Sequence, residues 1–271
     1  MRFFIAVLLI LCFVYGTYLY YLNYIGGFKT VSGNFSSTER NFDIVNYRDC
    51  ISVMTYNIRY AYGLDQKQDL NRIAENLQGH QIIALNEVDM NLYRSDFVNQ
   101  SEELCKKLSL NYVFGPAMST GRGSYGNALL TYFPIIKKAN HKLPVTPGKE
   151  PRSMLEVLLK IGENEKLNVF VTHLSPDKND REIQLLRVKK IVKNSIHPFI
   201  LMGDFNQEKI YIENTNIFSE NSKTYPANSP QYSLDHIMGN YKINTNINMI
   251  KLEYENKIAS DHLPISLCLF K

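Results

Sequence analysis

This 271-residue chain lacks the local signatures of several function classes. Its four cysteines are Cys12, Cys50, Cys105 and Cys268. No two stand at zinc-site spacing, so a cysteine-based metal finger is excluded. Cys12 falls in an apolar run, and the other three are odd in number and read as buried free thiols. There is no P-loop, no run of basic residues interleaved with aromatics, and no internal repeat. Neither a nucleotide-binding loop nor a basic nucleic-acid stripe is therefore encoded locally. The formal net charge is only +4, with lysine and arginine spread along the sequence. Such a balance permits a phosphate-bearing substrate without specifying nucleic acid.

Charge is also missing from Phe3 to Leu22, a run that begins FFIAVLLILCFV. About 20 apolar residues cross a bilayer as a helix. Tyr15, Tyr18, Tyr20, Tyr21 and Tyr24 crowd the far half of the run, as interfacial aromatics do. A cleaved signal peptide needs a small-residue site after a shorter apolar core. Gly16-Thr17 serves that poorly, so residues 1–25 are expected to be a retained single-pass membrane anchor, with a cleaved signal or a buried helix as rivals. Arg2 precedes the run and no lysine follows until Lys29, which keeps the N-terminus inside and predicts an extracytoplasmic domain. Residues 26–49, rich in Gly, Ser, Asn and charge, read as a flexible linker. Residues 50–271, in a chain that is 45% hydrophobic, suffice for one large domain.

Within that domain Ile51–Ile58, Gln81–Leu85, Tyr125–Tyr132, Ser153–Ile161, Leu167–Val171, Pro198–Met202, Leu234–Met238 and Pro264–Phe270 read as strands. Helices are predicted over 67–78, with Leu70, Ile73, Ala74 and Leu77 on one face, and over 100–109. A third runs to about 194, opened by an Asn179/Glu182 capping box, with Ile183, Leu186 and Ile191 as its apolar stripe. Mixed strands and few helices favour an α/β sandwich of two sheets.

Six polar clusters follow or close the apolar runs. They are Thr55-Tyr56-Asn57, Asn86-Glu87-Val88-Asp89, Thr172-His173, Gly203-Asp204-Phe205-Asn206, Leu234-Asp235-His236 and Ser260-Asp261-His262. Carboxylates, amides and imidazoles at one rim of a sheet suit metal-assisted hydrolysis of a phosphoester. Glu87, expected at a strand end, suits a hard cation such as Mg²⁺. Asp204 can ionise and bind water, and Asn206 offers both donor and acceptor. Asp235 is expected to orient His262 and favour its charged form. His173 can give a proton to a leaving oxygen or hold a phosphate oxygen. Asn57 can orient Glu87 or touch phosphate. Asp89 reads as a loop acid and His236 as structural. His80, His141 and His197 read as surface residues in connections.

In this order the clusters resemble the endonuclease/exonuclease/phosphatase superfamily, the deoxyribonuclease I-like fold, over about residues 50–271. The resemblance implies a four-layered α/β sandwich and water attack on phosphorus assisted by Mg²⁺, with Mn²⁺ as an alternative. It implies His173, Asp204, Asn206, Asp235 and His262 as catalytic residues and Glu87 with Asp261 as metal ligands. Asn57, Asn127 and Arg152 are implied for substrate binding, with a surface ion pair as the rival reading of Arg152. Tyr112-Val-Phe-Gly-Pro116, Tyr125-Gly-Asn-Ala-Leu-Leu130, Glu150-Pro-Arg152 and Thr224-Tyr-Pro226 are similar to a bacterial branch of metal-dependent hydrolases. That branch resembles the C-terminal domain of glycosylphosphatidylinositol lipid-remodelling proteins. Asn86 departs from a usual Gln, and Tyr132 from a frequent basic residue.

The resulting expectation is a membrane-anchored Mg²⁺-dependent phosphoester hydrolase acting on a phospholipid or lipid-linked phosphoester, with no protein partner evident. An extracytoplasmic nuclease is the rival, and an inactive binding domain the minor one. In the resembled fold the first and last strands are antiparallel neighbours, which brings Cys50 near Cys268. The apolar company of Cys268 favours a free thiol over a bridge.

Overall fold

The computed structural model describes residues 10–15, 29–34, 50–240 and 257–270. Its strands are β1 (Val31–Gly33), β2 (Cys50–Asn57), β3 (Ile82–Met90), β4 (Asn111–Thr120), β5 (Gly123–Thr131), β6 (Ile135–Lys142), β7 (Ser153–Lys160), β8 (Lys166–His173), β9 (Phe199–Asp204), β10 (Asn216–Ile217), β11 (Asp235–Gly239) and β12 (Ile265–Phe270). They form two six-stranded mixed sheets, ordered β1-β4-β5-β3-β2-β12 and β10-β11-β9-β8-β7-β6.

The long apolar runs in the sequence arise because both faces of each sheet are buried. Alternate side chains go to opposite sides. Val53, Ala84 and Leu129 of one sheet meet Val157, Val171 and Met202 of the other in the central core. Met54, Ile83 and Leu130 point outward against Ile73, Leu77 and Leu104 of the helices Leu70–Leu77 and Gln100–Leu108. Phe170 and Leu201 pack outward on Val188 and Val192 of the helix Lys178–Lys193. The order is helix, sheet, sheet, helix.

Two parallel pairs, β2–β3 and β8–β9, each enclose one crossover helix. Every other pairing is antiparallel. The C-terminal ends of the two parallel pairs lie at the same rim, and β11 and β12 begin there. All six polar clusters are thereby gathered from distant parts of the chain.

Several expectations are corrected. The third helix is capped by Asp177, whose carboxylate accepts from the amides of Asn179 and Asp180. Ile183 and Leu186 are 44% and 65% exposed, and Asp180 and Gln184 are buried in their place. Those two polar side chains hold the 144–146 loop through Thr146 and the Pro144 carbonyl, which the apolar pattern does not encode. The sequence pattern does not mark β4 and β6. β4 carries Gly-Pro at an irregularity in its pairing with β5, and β6 is a lysine-bearing edge strand that looks solvated. Asp89 is not a loop acid: it is buried in β3 and holds Arg94 at 2.7 Å. His80 is buried and bonded to the Leu77 carbonyl, and His141 lies in β6, 2.6 Å from Glu156.

Cys50 and Cys268 form a disulfide, with Cα atoms 5.5 Å apart. The antiparallel register sets Cys268 opposite Ser52 and Phe270 opposite Cys50, so the two thiols are diagonal neighbours. The expectation of three free thiols is therefore overturned, and among the described residues of the domain Cys105 is a buried thiol outside any disulfide, bonded to the Leu110 carbonyl. Val31–Gly33, within the stretch expected as a linker, pairs with β4. Residues 10–15 are helical, and most of the expected anchor lies outside the described residues. Among the described residues no helix is long and apolar enough to cross a membrane.

Candidate active site

The rim cluster is built from its two parallel pairs. In β9, Gly203 has φ +140°, and a Cβ there would stand 1.9 Å from the Thr172 carbonyl oxygen. Only glycine lets β9 come this close to β8. That approach sets Asp204 beside His173, Cα partners in the parallel register. On the other sheet, β3 does not end at Leu85 as expected. It continues through a bulge between Leu85 and Val88, with Glu87 at φ +57°. The bulge breaks the alternation and turns Glu87 to the rim beside Asn57.

Asn57 donates from Nδ2 to Glu87 Oε1 and to Asp204 Oδ2, both at 3.1 Å. One amide thus joins the expected metal ligand to the expected base across the sheets. Asp204 Oδ1 accepts from the Asn206 backbone N–H at 2.8 Å. Burial, joined by the Asp235 charge, pushes Asp204 up to about 7, against the pull of His262 and the bonds from Asn206 and Asn57.

His262 Nδ1 donates to Asp235 Oδ2 at 2.8 Å, and Thr224 Oγ1 donates to the same oxygen at 2.5 Å. The Tyr225 ring packs on the imidazole with centroids 4.9 Å apart. Burial opposes a charge on His262. The Asp235 carboxylate and its hydrogen bond, with Asp204 and Asp261 nearby, outweigh that cost and push the imidazole up to about 10. His262 Nε2 lies 3.7 Å from Asp204 Oδ2, too far for a direct hydrogen bond. Its proton is left for a third group entering between them.

His173 is buried, with Nδ1 3.2 Å from Arg152 Nη1. A guanidinium has donors only, so Nδ1 accepts and Nε2 carries the proton. The Asn206 NH₂, 3.2 Å from Nε2, makes its hydrogen bond to the Leu174 carbonyl at 2.9 Å instead. Burial and the charges of Arg152 and His262 hold His173 well below the usual imidazole range, so it is neutral. Arg152 is buried and also pairs with exposed Glu150 at 2.6 Å, so the ion pair of the rival reading is present while the guanidinium itself lies inside the rim against His173.

Glu87 and Asp261 supply oxygen donors. Burial raises the Glu87 carboxyl, the Asn57 bond opposes this, and Asp261 raises it further by repulsion. Asp261 lies 3.6 Å from Arg59. Two mutually repelling, half-buried carboxylates fit a hard divalent cation that keeps part of its water. Asp204, Asp235 and His262 also place one ligand atom each within 4.8 Å of one another. The 2.8 Å His262–Asp235 contact requires a proton between its atoms, which suits the trio to proton relay.

Two further residues emerge only in three dimensions. Asn86 is fully buried, and its side chain donates to Asn127 Oδ1 (2.8 Å) and the Thr172 carbonyl (3.0 Å) while accepting from the Asp204 N–H (2.8 Å). Asn127 therefore lies behind the rim, its own NH₂ bonded to the Ser153 carbonyl at 3.0 Å, not in the opening where substrate contact was expected. Thr224 was visible in Thr224-Tyr-Pro226, but nothing local connects it with Asp235. His236 turns away to the Gln207 carbonyl at 2.8 Å.

A family model described as the endonuclease/exonuclease/phosphatase family matches residues 54–262. The chain is 25% identical to sphingomyelinase C of Bacillus cereus over 222 residues, covering 69% of this chain and 67% of that one. The catalytic domain of human nocturnin superposes with a TM-score of 0.60 at 20% identity, over 91% of this chain and 98% of that one. A mannosyl-6-phosphatase from Bacteroides thetaiotaomicron does so with a TM-score of 0.61 at 20% identity, over 81% of this chain and all of the other.

Proposed function

The chain belongs to the endonuclease/exonuclease/phosphatase family of phosphoester hydrolases, and from that premise we propose a membrane-anchored, Mg²⁺-dependent enzyme acting on a phospholipid or lipid-linked phosphoester. The observation that carries the chemistry is His262, bonded to Asp235 on one nitrogen and facing Asp204 at 3.7 Å with the other. In this reading ionised Asp204 takes the proton of the attacking water, the bond from phosphorus to the leaving alcohol breaks as the new P–O bond forms, and the leaving oxygen takes a proton from solvent. Charged His262 donates through Nε2 to a phosphoryl oxygen, where negative charge grows in the transition state. The Asn206 side chain donates beside it. Asp235 fixes the His262 tautomer and keeps it charged. Neutral His173 serves as a hydrogen-bond donor through Nε2 rather than as an acid, and Arg152 holds its ring while adding positive charge to the rim. Glu87 and Asp261 would hold the cation, whose chemistry when bound is polarisation of a phosphoryl oxygen.

Two observations support the lipid substrate. One relative is a sphingomyelinase C, and the same chain carries a 20-residue uncharged segment at Phe3–Leu22. Tethering to a bilayer raises the effective concentration of the site toward lipids in it. The test is a substrate panel with the full chain in vesicles, with Mg²⁺ and with EDTA. It compares sphingomyelin, phosphoinositides, plasmid DNA, RNA and a chromogenic diester. Preferential, EDTA-sensitive cleavage of a lipid supports the proposal. Preferential cleavage of DNA or RNA would replace it with an extracytoplasmic nuclease.

A further inference from the structure

The short strand β1 fixes which way the domain faces. It pairs antiparallel with β4, Val31 opposite Phe114 and Gly33 opposite Tyr112. β4 in turn runs toward the catalytic rim, since Phe114 pairs with Ala128, and Ala128 with Leu85, one residue before Asn86. The chain on the N-terminal side of Val31 therefore leaves in the direction of the rim that holds Asn57 and Glu87. The expected anchor at 3–22 precedes this exit in the sequence. Only residues 23–30 separate Leu22 from Val31. At ~3.3–3.6 Å per residue, this connection reaches at most about 30 Å.

The same rim projects beyond the site. From Phe114, β4 continues to Thr120, about 20 Å at the usual strand rise. The β4–β5 turn ends in exposed Arg122 and touches the loop after β3, where a Cβ on Gly123 would meet the Asn91 carbonyl. That loop presents Tyr93 and Phe97, 83% and 51% exposed, stacked edge to face with centroids 5.8 Å apart. The loop is held by Phe97 N–H to the Leu92 carbonyl at 2.9 Å and by the Arg94–Asp89 pair at 2.7 Å. A supported pair of exposed aromatics with a neighbouring cation is matched to the interface of a bilayer bearing anionic lipid.

We propose that this rim is the membrane-docking face: the bilayer spanned by the anchor is met by Tyr93, Phe97 and Arg122, so the catalytic opening looks at lipid. The connection of at most about 30 Å exceeds the ~20 Å projection, so the aromatic tip reaches the surface before the connection is fully extended. The inference rests on the anchor reading above, and it adds the orientation and the contact residues.

The experiment uses the full chain with Cys12→Ser, reconstituted in vesicles of phosphatidylcholine and phosphatidylglycerol. One variant carries Tyr93→Cys with an environment-sensitive fluorophore. A control carries the label at Ile196→Cys, a 90% exposed residue just before β9 and hence at the opposite end of the sheet. Nitroxide lipids are expected to quench the label at 93 several-fold more than the label at 196. Equal quenching at both positions, in protein that floats with the vesicles, overturns the docking face and leaves the anchor intact. Protein that fails to float overturns the anchor and the docking face together. A second variant, Tyr93→Ser with Phe97→Ser, is expected to lose about tenfold in cleavage of a bilayer-embedded phosphoester and to keep its rate on a soluble chromogenic diester. Equal rates of the variant and the parent on the bilayer substrate would also overturn the proposal.

Discussion

The side-chain oxygen of Asn86 accepts the backbone N–H of Asp204 at 2.8 Å, and this bond joins the two sheets directly beneath the catalytic rim. Asn86 is peptide-bonded to Glu87, and its own carbonyl accepts from Ile58, next to Asn57, at 3.1 Å. Through one buried amide, the expected metal ligand, the expected base and the amide between them share a single reference point. Asn86→Asp places an acceptor against Asn127 Oδ1 and the Thr172 carbonyl. It is expected to cost ~1–3 kcal/mol of stability, as unsatisfied buried polar groups do. A shift of the base also lowers kcat by ~10–100-fold. Thermal unfolding with steady-state kinetics checks both, and an Asp variant with parental kcat would show that this bond does not position the base.

The relay predicts a bell-shaped pH profile. Asp204 must be ionised to accept a proton, and its pKa is about 7, so activity rises as pH passes that value. His262 must be charged to donate from Nε2 while bonded to Asp235, and its pKa is about 10, so activity falls above that. Asp235→Asn removes the largest charge supporting the imidazolium and is expected to move the alkaline limb to lower pH. An alkaline limb unmoved by this change would assign it to another group.

Burial sets the stability of Asp204 against its function. Its folded pKa is raised above the ordinary value, so its favourable contribution is complete at acid pH and is lost as pH rises through about 7. Asp204→Asn is therefore expected to raise Tm relative to the parent at pH 8 while abolishing turnover. A lower Tm at pH 8 would contradict the buried-charge account.

Glu87→Gln keeps the side chain's size and removes its charge. It should raise the Mg²⁺ concentration for half-maximal activity and lower kcat by ~10²-fold, the scale of a lost transition-state electrostatic contact. Full parental activity in EDTA would rule out a role for a cation at Glu87 and Asp261.

Asp235 and His262, 2.8 Å apart, are expected to act as one unit. Asp235→Ala and His262→Ala should each remove most of the activity, and the double variant little more, because coupled catalytic groups are not additive. Multiplicative losses would separate their roles.

The sequence by itself marked most strands of the two sheets and the six polar clusters that end them. Runs such as Ile51–Ile58 and Pro198–Met202 are apolar on both faces, which only a sheet covered on both sides accommodates, and each ends in polar residues that a core rejects. Those physical conditions are local, so they can be read from the chain. The sequence did not show how the members connect. Nothing near Asn86 announces that its amide reaches Asp204 across the sheet interface, or near Thr224 that its hydroxyl joins His262 on Asp235. The bulge at Glu87 is likewise set by the pairing of β3 with β5. Whether Cys268 is a free thiol or a bridged one depended on the diagonal register of β12 on β2, which its apolar neighbours concealed. Hydrophobic periodicity records how each segment is buried. The partners of a polar atom are fixed only once segments far apart in the chain are packed, because a hydrogen bond depends on distance and direction between atoms that the sequence does not place together.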